Sequence, residues 1–359
     1  MLTLTVRAVR LLSAVLAVLL MTLASAVPAC AQTVFSVFAN DPIQWGVVGI
    51  AFAGDKFVFS VQTDGHILYS TDLNGKNLQP FAPSISISGG NAATNWEHPL
   101  ASSLGLAGFP SRDIYVGTEN GIIHITHDGS RSDMYATGLN GTVRALLFDA
   151  VGTFGHDLLA TTENGSVYRI DRLGNPKLLA VTGDDPEGMD IAPIGAGFGP
   201  YDGQLITIST DTGWIHAISP TGTVAVLNTN FQLFDAEDIS FVPLNMGASH
   251  NPVEGFYVAN APGNIVKADT SQFTSYMGDA IIAIEFPFGP IWRMHWNGTG
   301  FDYSLIGSLT GQAEEAIFVT PALVNLGGSC PTDPNRDRDE NAWCAPFCQK
   351  PHGKRLDRD

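Results

Sequence analysis

A short strand–turn–strand unit recurs along this chain, and it constrains the fold more than any other feature. The turns read Thr63-Asp64-Gly65, Glu119-Asn120-Gly121, Glu163-Asn164-Gly165, Asp211-Thr212-Gly213 and Ala261-Pro262-Gly263, at intervals of 44 to 56 residues. Asn-Gly between alternating apolar runs marks a tight hairpin, because both central residues of a type I′ turn need positive φ. The flanks alternate as strands do. Ile114-Tyr115-Val116 and Ile122-Ile123-His124-Ile125 bracket one turn, and Leu158-Leu159-Ala160 and Val167-Tyr168-Arg169-Ile170 bracket the next.

A second repeat lies upstream of the hairpins. It has a glutamate, two apolar residues at alternate positions and a proline: Glu187, Met189, Ile191, Pro193; Glu237, Ile239, Phe241, Pro243; Glu315, Ile317, Val319, Pro321. Fainter copies in the same phase start at Val48, Ser102 and Arg144. Period-two alternation makes each a strand with a buried face. Six such strands, each with a hairpin, repeating about every 40–50 residues, predict an all-β β-propeller of six four-stranded blades. A β-sandwich would not repeat the unit at near-constant spacing. The interval from Glu237 to Glu315 is 78 residues and holds two further runs, Ala280–Ile284 and Ile291–Trp296. These leave a partly formed seventh blade as the alternative to an irregular last one. Val34–Phe38 is placed to lend a strand to the last blade and clasp the termini.

With its acidic residue before an apolar first strand, its Asn-Gly or Asp-x-Gly turn and its polar strand end (Tyr168-Arg169-Ile170-Asp171-Arg172-Leu173-Gly174), the body resembles the NHL-repeat and SMP-30/gluconolactonase-type propellers over about residues 34–325. The fold carries lactonases, lyases and pure binding proteins, so the resemblance implies architecture more than activity.

First strands line a propeller's channel, so the phase puts Val48, Ser102, Arg144, Glu187, Glu237 and Glu315 at one mouth. Converging carboxylates repel unless they bind a cation, share protons or pair with a base. Glu187, Glu237 and Glu315, with Arg144 and Ser102 beside them, are the candidate binding or metal residues. The resemblance implies Ca²⁺ there, polarising a carbonyl and activating water in a lactonase or ester hydrolase. The positions here include Val48 and Ser102 and no Asn, which departs from the metal set of those enzymes. The structural alternative has these acids tying blades together through neighbouring backbone amides, with Arg144 pairing to Glu187. The expected function is binding of a small-molecule or protein ligand, or a divalent cation, at an acidic channel mouth. A Ca²⁺-dependent hydrolase and a non-catalytic interaction scaffold are the alternatives.

No Gly-x-Ser-x-Gly elbow or His-Glu-x-x-His motif occurs. Gly195-Ala196-Gly197-Phe198-Gly199 leads into a strand and not a helix, so it reads as a loop rather than a phosphate cradle. Histidines 66, 124, 127, 156, 216, 250 and 295 are scattered without ligand spacing, and Trp214, Trp292, Trp296 and Tyr168 read as inter-blade core.

Residues 1–31 read as a signal peptide, with Arg7 and Arg10, an apolar run from Leu11 to Leu23, and Ala29-Cys30-Ala31 before a cleavage site at Gln32. A lipidated Cys30 would need a better lipobox than Val27-Pro28-Ala29. The chain is therefore expected to be secreted or periplasmic, monomeric, and without an integral membrane segment once the leader is removed. Residues 32–326 form the propeller and 327–359 a polar tail. The tail holds Cys330, Cys344 and Cys348, candidates for one disulfide and a free or intermolecular thiol; with His352 they could instead form a zinc site, if the thiols stay reduced.

The chain carries 18 Lys and Arg against 35 Asp and Glu, a net charge of −17. The leader holds two of the basic residues and no acid, and the tail balances six against six. The acidity therefore belongs to the propeller, which excludes nucleic-acid binding through a basic surface.

Overall fold

The computed structural model describes residues 32–40, 46–61, 68–82, 97–261, 263–286 and 288–324. Residues 1–31 with Cys30, the turn at Thr63–Gly65, His66, Pro262 and the tail with Cys330, Cys344, Cys348 and His352 lie outside the described residues. The chain begins with β1 (Ser36–Asn40). Blade 1 comprises β2 (Val47–Phe52), β3 (Phe57–Val61), β4 (Leu68–Thr71) and β5 (Gln79–Phe81). Blade 2 follows with β6 (Leu100–Ser102), β7 (Ile114–Thr118), β8 (Gly121–Ile125) and β9 (Ser132–Ala136). Blade 3 has β10 (Val143–Phe148), β11 (Leu158–Thr162), β12 (Ser166–Ile170) and β13 (Pro176–Val181). Blade 4 has β14 (Pro186–Ile191), β15 (Leu205–Ser209), β16 (Ile215–Ile218) and β17 (Val224–Val226).

The last third departs from this regular order. Its strands are β18 (Ala236–Phe241), β19 (Gly255–Ala261), β20 (Asn264–Asp269), β21 (Ala280–Ile284), β22 (Pro290–Trp296), β23 (Phe301–Ser308) and β24 (Gln312–Val319), followed by a short helix, α1 (Pro321–Val324). Blade 5 is β18-β21-β22-β23, while the β19–β20 hairpin leaves it and joins blade 6, in the order β24-β19-β20-β1. The molecule is thus a propeller of six four-stranded blades. The long interval is explained by a hairpin lent to the neighbouring blade, so the runs at Ala280–Ile284 and Ile291–Trp296 belong to blade 5 and form no seventh blade. The turn closed by Gly263 lies in blade 6, not in blade 5 where the repeat phase places it.

Blade 6 also takes its outer strand from the N-terminus. β1 pairs with β20, Ser36 opposite Lys267 and Asn40 opposite Asn264. Phe38 sets its ring 4.8 Å from Phe57 of blade 1 and 4.9 Å from Tyr257 of β19. The expected clasp is therefore present.

The core lies between blades. Alternate residues of one strand serve opposite neighbours: Ile206 and Ile208 pack with Ile239 and Ile282 of blade 5, while Leu205 packs with Phe154 and Val167 of blade 3. Middle strands such as β11 and β15 are buried along their whole length, as strands covered on both faces must be. Tyr168 is buried between blades 2 and 3, as its strand position predicts. The inner strands β2, β6, β10, β14, β18 and β24 surround the channel.

Candidate ligand site in the central channel

Inner strands begin with an irregularity that aims one side chain at the channel mouth. In β10, β14 and β18 the register slips by one residue at Arg144, Glu187 and Glu237, between flanking pairs that hold the ladder. Such a bulge sets two residues against one and redirects the extra side chain. Arg144, Glu187 and Glu237 do occupy matching places, as their phase predicts. In β24 the slip follows Ala313, which faces Asn260, so Glu314 takes the place of Glu237 and Glu315 that of Asp238. The repeat phase of Glu315 is off by one residue.

Ser102 is displaced further. It pairs with Ile114 at the far end of its strand, the register that Phe148 holds against Leu158 in β10. It lines the channel among apolar residues, away from Arg144. Blade 2 supplies Glu97 to the mouth instead, from just ahead of β6. Aligning Leu100-Ala101-Ser102 with Leu146-Leu147-Phe148 puts His98 at the place of Arg144, so Glu97 lies one residue ahead of the position the repeat marks. Glu285, on the β21–β22 connection, was hidden by the split of blade 5. Its backbone N–H donates to Asp235 O at 2.7 Å, and its Oε1 accepts from Gln312 Nε2 at 3.2 Å.

Arg144 is the hub of the mouth. Its Nη1 donates to Glu97 Oε2 at 2.8 Å, its Nε to Asp185 Oδ1 at 3.2 Å, and its Nη2 pairs with Asp185 Oδ2 at 3.2 Å and with Glu187 Oε1. One guanidinium therefore joins blades 2, 3 and 4. Burial works against its charge, but Asp185, Glu97 and Glu237 outweigh that and raise its pKa.

The acids outnumber this cation. Glu237 accepts one hydrogen bond, from Thr210 Oγ1 at 3.2 Å. Burial, then the Glu97 charge, holds its carboxyl well above the usual range despite Arg144. Glu314 is 3% exposed, and its carboxyl has no hydrogen-bond or ion-pair partner among the described residues. Burial first, then Glu237, Glu97 and Glu285, push it up to about 9, against the opposing pull of Arg144. Burial raises Glu285 to about 7, helped by Glu237, and Asp185 to about 6, opposed by Arg144.

One layer deeper, acids act as ties between blades. Asp190 Oδ2 accepts from Phe241 N of blade 5 at 2.7 Å. Asp238 accepts from Ser240 Oγ at 2.7 Å, whose hydroxyl lies 3.4 Å from Ala316 O of blade 6. Glu315 Oε2 accepts from Ile50 N of blade 1 at 2.9 Å and from Leu100 N of blade 2 at 3.4 Å. Glu315 thus fills the structural role considered for the first-strand acids. Burial raises all three carboxyls, Asp190 to about 7. Close approach at this layer requires glycine: a Cβ on Gly49 would stand 2.3 Å from His98 O, and one on Gly188 2.7 Å from Asp238 Cα.

The channel encloses a cavity of about 320 Å³. Below the acids its wall is apolar, with Phe52, Leu104, Leu146, Phe148, Phe241 and Phe318. Among the described residues, no three His, Cys, Asp or Glu side chains are placed to hold a metal ion. A Ca²⁺ ion needs six to eight oxygens, and here three of the nearest carboxylates already close on a guanidinium. The donor set does not fit Ca²⁺.

Other motifs are absorbed by the scaffold. His124 bonds Asp113 at 2.7 Å and Asp133 at 2.9 Å, and His295 bonds Asp279 at 2.7 Å. The glycine-rich loop is closed by its own acid, Asp202, which accepts from Gly195 N at 3.0 Å and Phe198 N at 2.8 Å. Among the described residues no helix is long and apolar enough to cross a membrane.

No protein-family model and no curated protein matches the chain. Solved structures do. Virginiamycin B lyase from Staphylococcus aureus is 15% identical over 76% of this chain and 88% of its own, with a TM-score of 0.44. PQQ-bound aldose sugar dehydrogenase from Streptomyces coelicolor is 15% identical over 77% and 85%, at 0.48. YCF48 bound to D1 peptide is 14% identical over 76% and 84%, at 0.39. All three are β-propellers, and at these identities the likeness is one of fold alone.

Proposed function

We propose that this chain is a binding protein that takes a small ligand into the central channel, its polar end at the acidic mouth and its apolar end below. The observation that carries this reading is the cavity itself: about 320 Å³, with converging polar groups at one end and an apolar wall beyond. Concave, mostly apolar pockets with a few oriented polar groups are the usual form of small-molecule sites. A rim held by Arg144 and its three acids is preorganised, so little ordering cost opposes binding.

A divalent cation is the weaker reading, because Arg144 already answers the nearest carboxylates. The Ca²⁺-dependent lactonase or ester hydrolase that the NHL and SMP-30 resemblance implies depends on that ion, and no step is derived through it. The N-terminal sequence pattern supports an exported location for this binding activity.

The test is uptake of a neutral apolar fluorophore, N-phenyl-1-naphthylamine, by wild type and by Ser102→Trp, which fills the channel from a partly exposed wall position. Saturable one-to-one uptake that the tryptophan abolishes is expected. Uptake that does not saturate, or that Ser102→Trp leaves unchanged, overturns the reading and favours the interaction scaffold.

A further inference from the structure

The other acids lining the channel are tied. Asp190, Asp238 and Glu315 accept backbone or hydroxyl hydrogen bonds, and Glu97 and Glu187 pair with Arg144. Glu314 is the exception. It is 3% exposed, its carboxyl has no hydrogen-bond or ion-pair partner among the described residues, and it lines the cavity beside Glu237, which has one bond to Thr210. A carboxyl buried without a partner is costly, and folding offers no compensation for it here.

We infer that Glu314 and Glu237 form the seat of an ammonium group, and that the channel's ligand is a protonated alkylamine whose hydrocarbon chain runs toward Phe148 and Phe241. The inference rests on the channel being the binding site and names the class of ligand. An ammonium is compact and monovalent and carries up to three N–H donors, which suits two under-bonded carboxyls. A divalent ion would demand more oxygens than these two acids offer. A second guanidinium would have to lie close to Arg144, which already fills that role with Glu97, Asp185 and Glu187. The apolar wall below suits an alkyl chain, each buried methylene adding to affinity.

Binding then exchanges one cation for another. Around Glu314 stand Glu237 on β18, Glu97 ahead of β6, Glu285 on the β21–β22 connection and Arg144 on β10. The acids prevail over the arginine, and burial keeps Glu314 protonated at neutral pH. An arriving ammonium stabilises the carboxylate, and the Glu314 proton leaves to solvent. The amine keeps its own proton, since alkylammonium groups titrate near the lysine value of about 10.4.

Isothermal titration of the full chain with n-hexylamine and n-hexanol, near pH 7 in two buffers of different ionisation enthalpy, tests this. The expected result is hexylammonium binding at least about tenfold tighter than hexanol. Its heat should depend on the buffer in proportion to about one proton released. Glu314→Gln should remove the proton release and weaken hexylammonium by about tenfold or more, and hexanol by much less. Thermal melting of the same variant, expected to match or exceed wild type, shows that it is folded. Hexanol binding as tightly as hexylammonium, a heat independent of buffer, or a Glu314→Gln variant that keeps its amine affinity overturns the ammonium seat while leaving channel binding intact. Failure of both ligands in a protein that also excludes the naphthylamine fluorophore overturns channel binding itself.

Discussion

Glu314 and Glu315 are adjacent in sequence and have opposite consequences. Glu315 gives its carboxylate to two buried amides of other blades; Glu314 gives its own to none. Glu315→Ala strands the Ile50 and Leu100 N–H groups, and each unsatisfied buried donor costs about 1–3 kcal/mol. The variant should lose about 2–4 kcal/mol in denaturant unfolding, and a loss within error would contradict the tie. The glutamate pattern was legible in the sequence, and so was the pairing of Arg144 with Glu187. The distinction between Glu314 and Glu315 was not, because it depends on a bulge one residue out of phase with the apolar repeat. Glu97 was missed and Ser102 misplaced for the same kind of reason: β6 is only three residues long, too short for alternation to fix its register.

At the scale of elements, the bulged starts of β10, β14 and β18 are what bring charge to the mouth. Arg144 on β10 holds acids from both neighbouring blades, so its loss leaves buried carboxylates unanswered. Arg144→Met should destabilise the protein by about 3–5 kcal/mol near pH 8. The cost should shrink near pH 5, since Asp185, with its carboxyl at about 6, is then largely neutral. Chemical denaturation at both pH values checks this, and an equal cost at each would contradict it. The hairpin repeat was legible as a set of strands because Asn-Gly turns and apolar alternation are local signals. The blade to which β19–β20 belongs was not, since crossing from β18 into blade 6 leaves no local mark and shows only as an overlong interval.

For the whole molecule, closure and charge decide behaviour. Blade 6 is assembled from β24, the lent β19–β20 hairpin and N-terminal β1, so the ring is locked by pieces far apart in sequence. Phe38 packs β1 onto Phe57 and Tyr257. Phe38→Ala should cost about 3 kcal/mol, and unchanged thermal unfolding would show that the clasp adds nothing. The chain's net charge of −17 comes from the acids of a propeller whose channel carboxyls have raised pKa values. A carboxyl raised on folding binds its proton more tightly in the folded state, so its contribution is fully present below the unfolded value and is lost as pH rises through the folded one. With Asp185 at about 6, Asp190 and Glu285 at about 7 and Glu314 at about 9, stability should fall steadily from about pH 5 to about pH 9. Melting temperatures across that range check the sign, and Glu314→Gln should flatten the upper part of the curve. A flat or rising profile in wild type would contradict the burial of these acids.

The most direct measurement of the central claim, that the channel is the binding site, is a crystal structure grown with n-hexylamine. The predicted result is one molecule in the channel, its nitrogen within hydrogen-bond distance of Glu314 and Glu237 and its chain against Phe148 and Phe241. A channel holding only water, with the amine on the outer blades or absent, would contradict it.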